Sequence, residues 1–166
     1  MIEREVAVCG AFNRVSRPRG VKQFFVLISK LGDGGVWYAV IFALPVLYGQ
    51  TGAATSWDMI RVGAVNLLLY KAIKRLTERA RPCALDQDII AGTAPLDQYS
   101  FPSGHTMHAV AFSVIVTAHH VELTWIVLPL SSLIALSRLV LGLHYPTDVI
   151  AGAVIGGYVA SFLVTF

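Results

Sequence analysis

Charge is scarce in this chain. Asp, Glu, Lys and Arg together make up 14% of its 166 residues, where soluble domains average about 25%. A soluble protein of this size would have too little polar surface, which excludes an ordinary water-soluble globule. Cysteine is also rare. Cys9 and Cys83 form neither a metal-spaced pair nor a disulfide framework, and free thiols are expected. No carboxylate cluster suggests a metal site, and no cofactor is expected. The basic residues lack the aromatic interleaving of a nucleic-acid surface, so no nucleic-acid partner is expected. The N-terminus has arginines but no long apolar core followed by a small-residue cleavage site, so no cleavable signal peptide is read there.

What the chain has in quantity is apolar sequence. Hydrophobic residues reach 55% and the mean hydropathy is +0.65. One domain of an integral membrane protein follows, all-α, with about five transmembrane helices and an N-terminal amphipathic interfacial helix. Residues 1–33 carry six Lys and Arg among apolar positions and hold no run of the roughly 20 residues that a crossing needs. They are expected to lie at the bilayer surface. Residues 34–166 form the transmembrane domain, with spans expected near 36–48, 57–73, 103–119, 123–140 and from 146 onward. Gly152, Gly156 and Ala160 recur every four residues on the last span, a small-residue stripe that permits close helix contact. The longest polar stretch, 82–102, holds Asp86, Asp88 and Asp97, expected to solvate a loop.

Three clusters carry chemistry, and each falls where a span begins or ends. The first is Lys74 with Arg81-Pro82. The second is Pro102-Ser103-Gly104-His105. The third is Ser137-Arg138 followed by His144 and Asp148. Alternating crossings bring all of these ends to one side of the membrane. At the start of a helix, Ser103 is expected to cap a backbone N–H, and Gly104 to let a ligand approach the backbone. Free N–H groups and the helix dipole favour an anion there. Lys74, Arg81 and Arg138 add fixed positive charge, and arginine's planar fork suits two phosphate oxygens. Asp148 lies four residues after His144, within reach of one imidazole nitrogen, which would leave the other free to attack phosphorus. His105 is then available to protonate the leaving oxygen. His108 is expected to be a packed or hydrogen-bonded residue.

These blocks, Lys74-x6-Arg81-Pro82, Pro102-Ser103-Gly104-His105 and Ser137-Arg138-x5-His144-x3-Asp148, resemble the three signatures of the type-2 phosphatidic acid phosphatase superfamily in order and spacing. The resemblance covers about residues 34–166. It implies a metal-independent helical membrane phosphatase that works through a phosphohistidine. His144 would be the nucleophile, Asp148 its orienter and His105 the general acid, with Lys74, Arg81, Ser103, Gly104 and Arg138 holding phosphate. The implied partner is a phosphorylated lipid: phosphatidylglycerophosphate, phosphatidic acid, or a polyprenyl phosphate or diphosphate. Two alternatives stay open, a non-catalytic lipid-phosphate binder or transporter, and a transferase that passes phosphate to another acceptor. A vanadate-dependent haloperoxidase shares the anion pocket, but those enzymes are soluble and larger. The membrane is expected to be the cell (inner) membrane. The positive-inside rule, applied to residues 1–33, assigns the pocket side to the cytoplasm. The oligomeric state cannot be read from these residues.

Overall fold

The computed structural model describes residues 2–164, and all of its regular structure among those residues is helical. Two helices open the chain, α1 (Ile2–Val15) and α2 (Arg19–Lys30). Glu3 and Glu5 in the first turn of α1 and Arg14 in its last turn oppose the helix dipole. Neither helix runs free. Asn13 donates to the carbonyls of Ile90 and Val140 and accepts from the Ile90 N–H, all at 3.0–3.1 Å. Phe25 packs with Val140, Leu141 and Leu143. A π-helical turn, Leu31–Gly35, joins α2 to the next helix, and Gly34 at φ 124° redirects the chain there, a conformation that glycine alone adopts easily.

The helix α3 (Val36–Thr77) is 42 residues long and broken at Gly49 (φ 60°, ψ −130°). The Ser56 hydroxyl donates to the Ile41 carbonyl at 2.7 Å. Fifteen residues of straight helix would hold these groups about 22 Å apart. The chain therefore doubles back at Gly49, and arms 36–48 and 50–77 lie side by side. Gly52 permits this, because a Cβ there would sit 2.0 Å from the Leu44 carbonyl oxygen. Glu78, left-handed at φ 45°, ends the second arm. A short helix α4 (Pro82–Leu85) and an irregular loop follow.

The centre of the bundle is α5 (Gly104–His119), packed against α3, α6 (Thr124–Val140) and α7 (Pro146–Leu163). Its Ala109, Ile115 and Val116 form a core with Met59, Val62 and Ile134. The expected small-residue stripe faces α5. A Cβ at Gly152 would lie 2.6 Å from the Ser103 carbonyl oxygen, and one at Gly156 would lie 2.1 Å from that of Met107. Pro146 opens α7, where its missing N–H costs nothing.

The outside of the bundle is apolar. Phe42, Leu68, Trp125, Ile150, Val154 and Phe162 are all more than 60% exposed. Among the described residues, three stretches are long and apolar enough to cross a membrane: Arg19–Leu85, which contains the reversal, Val121–Val140 and Pro146–Leu163. With 16 residues, α5 is shorter than the usual span of roughly 20, and its neighbours bury it. The architecture is that of an all-α multi-pass membrane protein.

Candidate active site

Five helix ends meet at one edge of the bundle. Lys74 lies in the last turn of α3. Arg81 precedes α4 in extended backbone (φ −75°, ψ 154°). Ser103 and Gly104 begin α5, Arg138 lies in the last turn of α6, and His144 sits in the turn before α7. Lys74, Arg81, Gly104, His105, Arg138 and His144 all line one cavity of about 810 Å³. Away from these groups the cavity runs between the arms of α3 and α5, along Trp37, Ile41, Ile60, Leu67 and Phe112. One end is therefore cationic and the other apolar.

Two residues expected at the site stand behind its wall. Ser103 is buried and occupies the N-cap position, but it makes no side-chain cap. Its hydroxyl oxygen instead accepts from Thr106 Oγ1 at 3.0 Å, while its N–H donates to the Asp148 carbonyl at 3.0 Å. That bond ties the start of α5 to the first turn of α7. Asp148 is fully buried. One oxygen accepts the Tyr145 N–H at 2.9 Å and lies 3.5 Å from His144 Nδ1. The contact to the imidazole is thus longer than a good hydrogen bond.

His144 Nε2 points the other way and lies 3.3 Å from Arg81 Nη1, which also donates to the Leu143 carbonyl at 2.7 Å. Burial, followed by the charges of Arg138, Arg81 and Lys74, holds this imidazole well below the usual histidine range. Burial removes water that would stabilise the imidazolium, and three cations repel it. Near neutral pH the ring is therefore neutral and its lone pair is available.

The loop aspartates correct one expectation. Asp97 does not solvate the loop. A single Oδ1 accepts from Lys74 Nζ and from Arg81 Nη2, both at 2.8 Å, and the Asp97 carbonyl accepts from Arg81 as well. Burial alone would raise the carboxyl's pKa. The Lys74 hydrogen bond and the charges of Lys74 and Arg81 outweigh it and hold the pKa below the usual carboxylate value. The helix pair α1–α2 reaches the site too. Arg79 donates to Asp148 Oδ1 and to Thr147 Oγ1, each at 2.7 Å, is paired with Glu5 of α1, and lies 4.0 Å above the Tyr145 ring. Arg138 donates to the Ser29 hydroxyl of α2. His105 Nε2 lies 2.6 Å from Asp33 Oδ1 in the π-helical turn. His108 is structural, with its two nitrogens against the carbonyls of Gly104 and Gly63 at 2.9 and 3.2 Å.

Asp33, Arg79 and Asp97 were not singled out from the sequence as site residues. Each is one charged residue in a turn or loop, with no repeat or spacing to mark it. The sole hint was Asp33 standing between glycines. Among the described residues no group of three or more His, Cys, Asp or Glu could hold a metal ion. Lys74, Arg81 and Arg138 supply positive charge at the site, and Lys71 and Arg75 line the same cavity. Such a cradle can neutralise a phosphate and stabilise the charge of a transferring phosphoryl group.

The chain is similar to known proteins in sequence and in fold. The sequence model of the PAP2 superfamily matches residues 56–166, a stretch that holds all three signatures. The chain is 36% identical over 130 residues to a decaprenylphosphoryl-5-phosphoribose phosphatase of Mycolicibacterium smegmatis, covering 75% of this chain and 67% of that one. It is 30% identical over 136 residues to phosphatidylglycerophosphatase B of Bacillus subtilis, covering 69% and 63%. The chain thus spans about two thirds of the length of these relatives. Among solved structures, Aquifex aeolicus LpxE superposes with a TM-score of 0.83 at 24% identity, covering 96% of this chain and 94% of that one. That likeness bears on the fold.

Proposed function

The chain belongs to the PAP2 superfamily, and from that premise we propose that it is a membrane phosphatase that hydrolyses a lipid phosphate or diphosphate through a phosphohistidine on His144, without a metal ion. The observation behind the proposal is the two-ended cavity, with Lys74, Arg81, Arg138, His105 and His144 together at one end and an apolar run between helices at the other. A phosphorylated head fits the first end and a hydrocarbon tail the second. The relatives named above act on a prenyl lipid and on a glycerophospholipid, and the substrate class proposed here spans both kinds.

The reaction has two steps. The lone pair of His144 Nε2 attacks phosphorus opposite the leaving oxygen. The P–O bond breaks, its electron pair stays on oxygen, and His105 supplies the proton. Lys74, Arg81 and Arg138 hold the equatorial oxygens as charge shifts, and the first turn of α5 offers N–H groups from Gly104 onward. Asp148 holds the far side of the nucleophilic ring. His105, now neutral, then takes a proton from water, whose oxygen attacks phosphorus, and His144 is released with inorganic phosphate.

The test is phosphate release by purified protein in chelator, from a panel of phosphatidic acid, phosphatidylglycerophosphate and prenyl phosphates and diphosphates. At least one should be hydrolysed. His144→Ala should lower the rate by roughly 10³-fold or more, and an acid-labile phosphoprotein should form in wild type alone. Release of no phosphate from any of these lipids would overturn the proposal. Phosphate found on an added alcohol and not in water would make the chain a transferase.

A further inference from the structure

We propose that Asp33 is a positioning residue for His105, holding the imidazole by its Nε2–H and favouring the protonated ring that donates to the leaving oxygen. The idea rests on the phosphatase reading of the site. It reaches a residue outside the stretch that the PAP2 superfamily model matches, residues 56–166.

Three observations carry it. The first is the contact itself, Asp33 Oδ1 to His105 Nε2 at 2.6 Å. A carboxylate can only accept, so the shared hydrogen belongs to Nε2. The second is the backbone that delivers the carboxylate. Gly32 lies flush against the imidazole. A Cβ there would stand 3.0 Å from His105 Cδ2 and 2.9 Å from Ile134 Cγ2, so a larger side chain would push the ring away. One residue beyond Asp33, Gly34 takes φ 124° and turns the chain into α3. The turn presses backbone on the ring and sets one acid at its edge. The third is location. Asp33 lines the same cavity as His105 and His144 and keeps 39% of its side chain exposed.

The imidazole is the one hydrogen-bond partner of the Asp33 side chain among the described residues. Lys74 and Arg81 are bridged by Asp97, and Arg138 donates to Ser29. Each histidine of the site therefore has a carboxylate of its own, Asp148 for His144 and Asp33 for His105. The carboxylate at Nε2 favours the imidazolium, which leaves the Nδ1 hydrogen for the leaving oxygen of a bound ester. As the P–O bond breaks, the Nδ1 proton passes to that oxygen, its bonding pair stays on the ring, and the imidazolium becomes a neutral imidazole. Asp33 gains and loses no atom in this step.

The experiment uses two esters that differ in their need for a proton. An alkyl phosphate, lipid or short-chain, leaves as an alkoxide that must be protonated. p-Nitrophenyl phosphate leaves as a phenolate that needs no proton near neutral pH. The readout is kcat/KM, which covers formation of the phosphohistidine and not its hydrolysis. If Asp33 acts through His105, Asp33→Ala lowers the ratio of alkyl to aryl kcat/KM roughly tenfold or more, as expected for a share of general acid catalysis. Asp33→Asn, equal in shape and suited to the same turn, shifts the ratio the same way, and His105→Gln shifts it furthest. Asp33→Glu, which keeps the charge, restores part of it. Equal losses on both esters in the folded Asn variant, or no loss on either, would overturn the proposal and leave the phosphatase reading intact. A wild type that cleaves neither ester would remove the phosphatase reading and the role of Asp33 with it.

Discussion

Asp97 sits between two of the cations that the proposed function assigns to phosphate. Its one oxygen bridges Lys74 and Arg81, the two cations of the first signature, so an incoming phosphate competes with an internal anion. Hydrogen bonds to charged groups are worth about 1.5–3 kcal/mol each. Asp97→Asn should therefore tighten inhibition by inorganic phosphate by roughly tenfold, equivalent to about 1.4 kcal/mol. Competition assays that find an unchanged or weaker inhibition constant would mean that the bridge does not overlap the phosphate position. His144, the proposed nucleophile, makes a second prediction, through pH. Its pKa is held below the usual histidine value, first by burial and then by Arg138, Arg81 and Lys74. The unfolded chain binds a proton near pH 6.5 and the folded chain does so only at lower pH. This contribution to stability is complete above about 6.5 and is lost as pH falls from there. His144→Gln should flatten the fall in melting temperature between pH 7 and pH 5, and an equally steep fall in the variant would refute this assignment. The signature residues were legible because several identities recur at fixed spacings near helix ends. Asp33, Arg79 and Asp97 were not, because only the folded chain brings an isolated charge from residue 33 or 97 to a cavity built around residues 74–144.

At the scale of elements, the site depends on how closely α7 approaches α5. Gly152 meets the Ser103 carbonyl, beside the phosphate loop, and Gly156 meets Met107 one turn deeper. Overpacking a tight contact costs about 1–3 kcal/mol, so alanine at either position should lower the melting temperature in detergent. The two should differ in activity. Gly152→Ala moves the start of α5, where His105 and the backbone N–H groups are set, and should lower kcat/KM several-fold more than Gly156→Ala. Equal activity in the two variants would show that displacement at Ser103 does not reach the site. The stripe was readable from its four-residue period, and so was the polar break between the two arms of α3. Two features were hidden. The expectation for residues 1–33 was a helix resting on the bilayer, yet α1 and α2 also dock on α6 and on the loop before α5 through Asn13 and Phe25. The Ser103 cap was expected from residue type at a helix start. The hydroxyl turns to Thr106 instead, a choice set by the buried packing around it that a local rule does not contain.

For the whole molecule the open quantity is which leaflet supplies the substrate. The contacts of α1 with Ile90, Val140 and Thr147 put the N-terminal helices at the cavity end of the bundle, so their six Lys and Arg count toward that side. The cations of the cavity have a chemical task and are left out of the tally. By the positive-inside rule, our proposal is that the cavity opens on the cytoplasmic face. Cys9 cannot report on this, because it is fully buried, and burial, aided by Asp148 and Glu5, pushes its thiol up to about 12. An introduced thiol can report. Arg17 is exposed between α1 and α2, and Val121 is 73% exposed at the opposite end, between α5 and α6. In a Cys83→Ser background, a membrane-impermeant thiol reagent added to intact cells should label Val121→Cys and should reach Arg17→Cys only after permeabilisation. The reverse pattern would turn the molecule over. The cavity would then draw on the outer leaflet, and the positive charge of α1 and α2 would have to be explained by attraction to phosphorylated lipid and not by insertion, while the geometry around His105 and His144 would stay as it is.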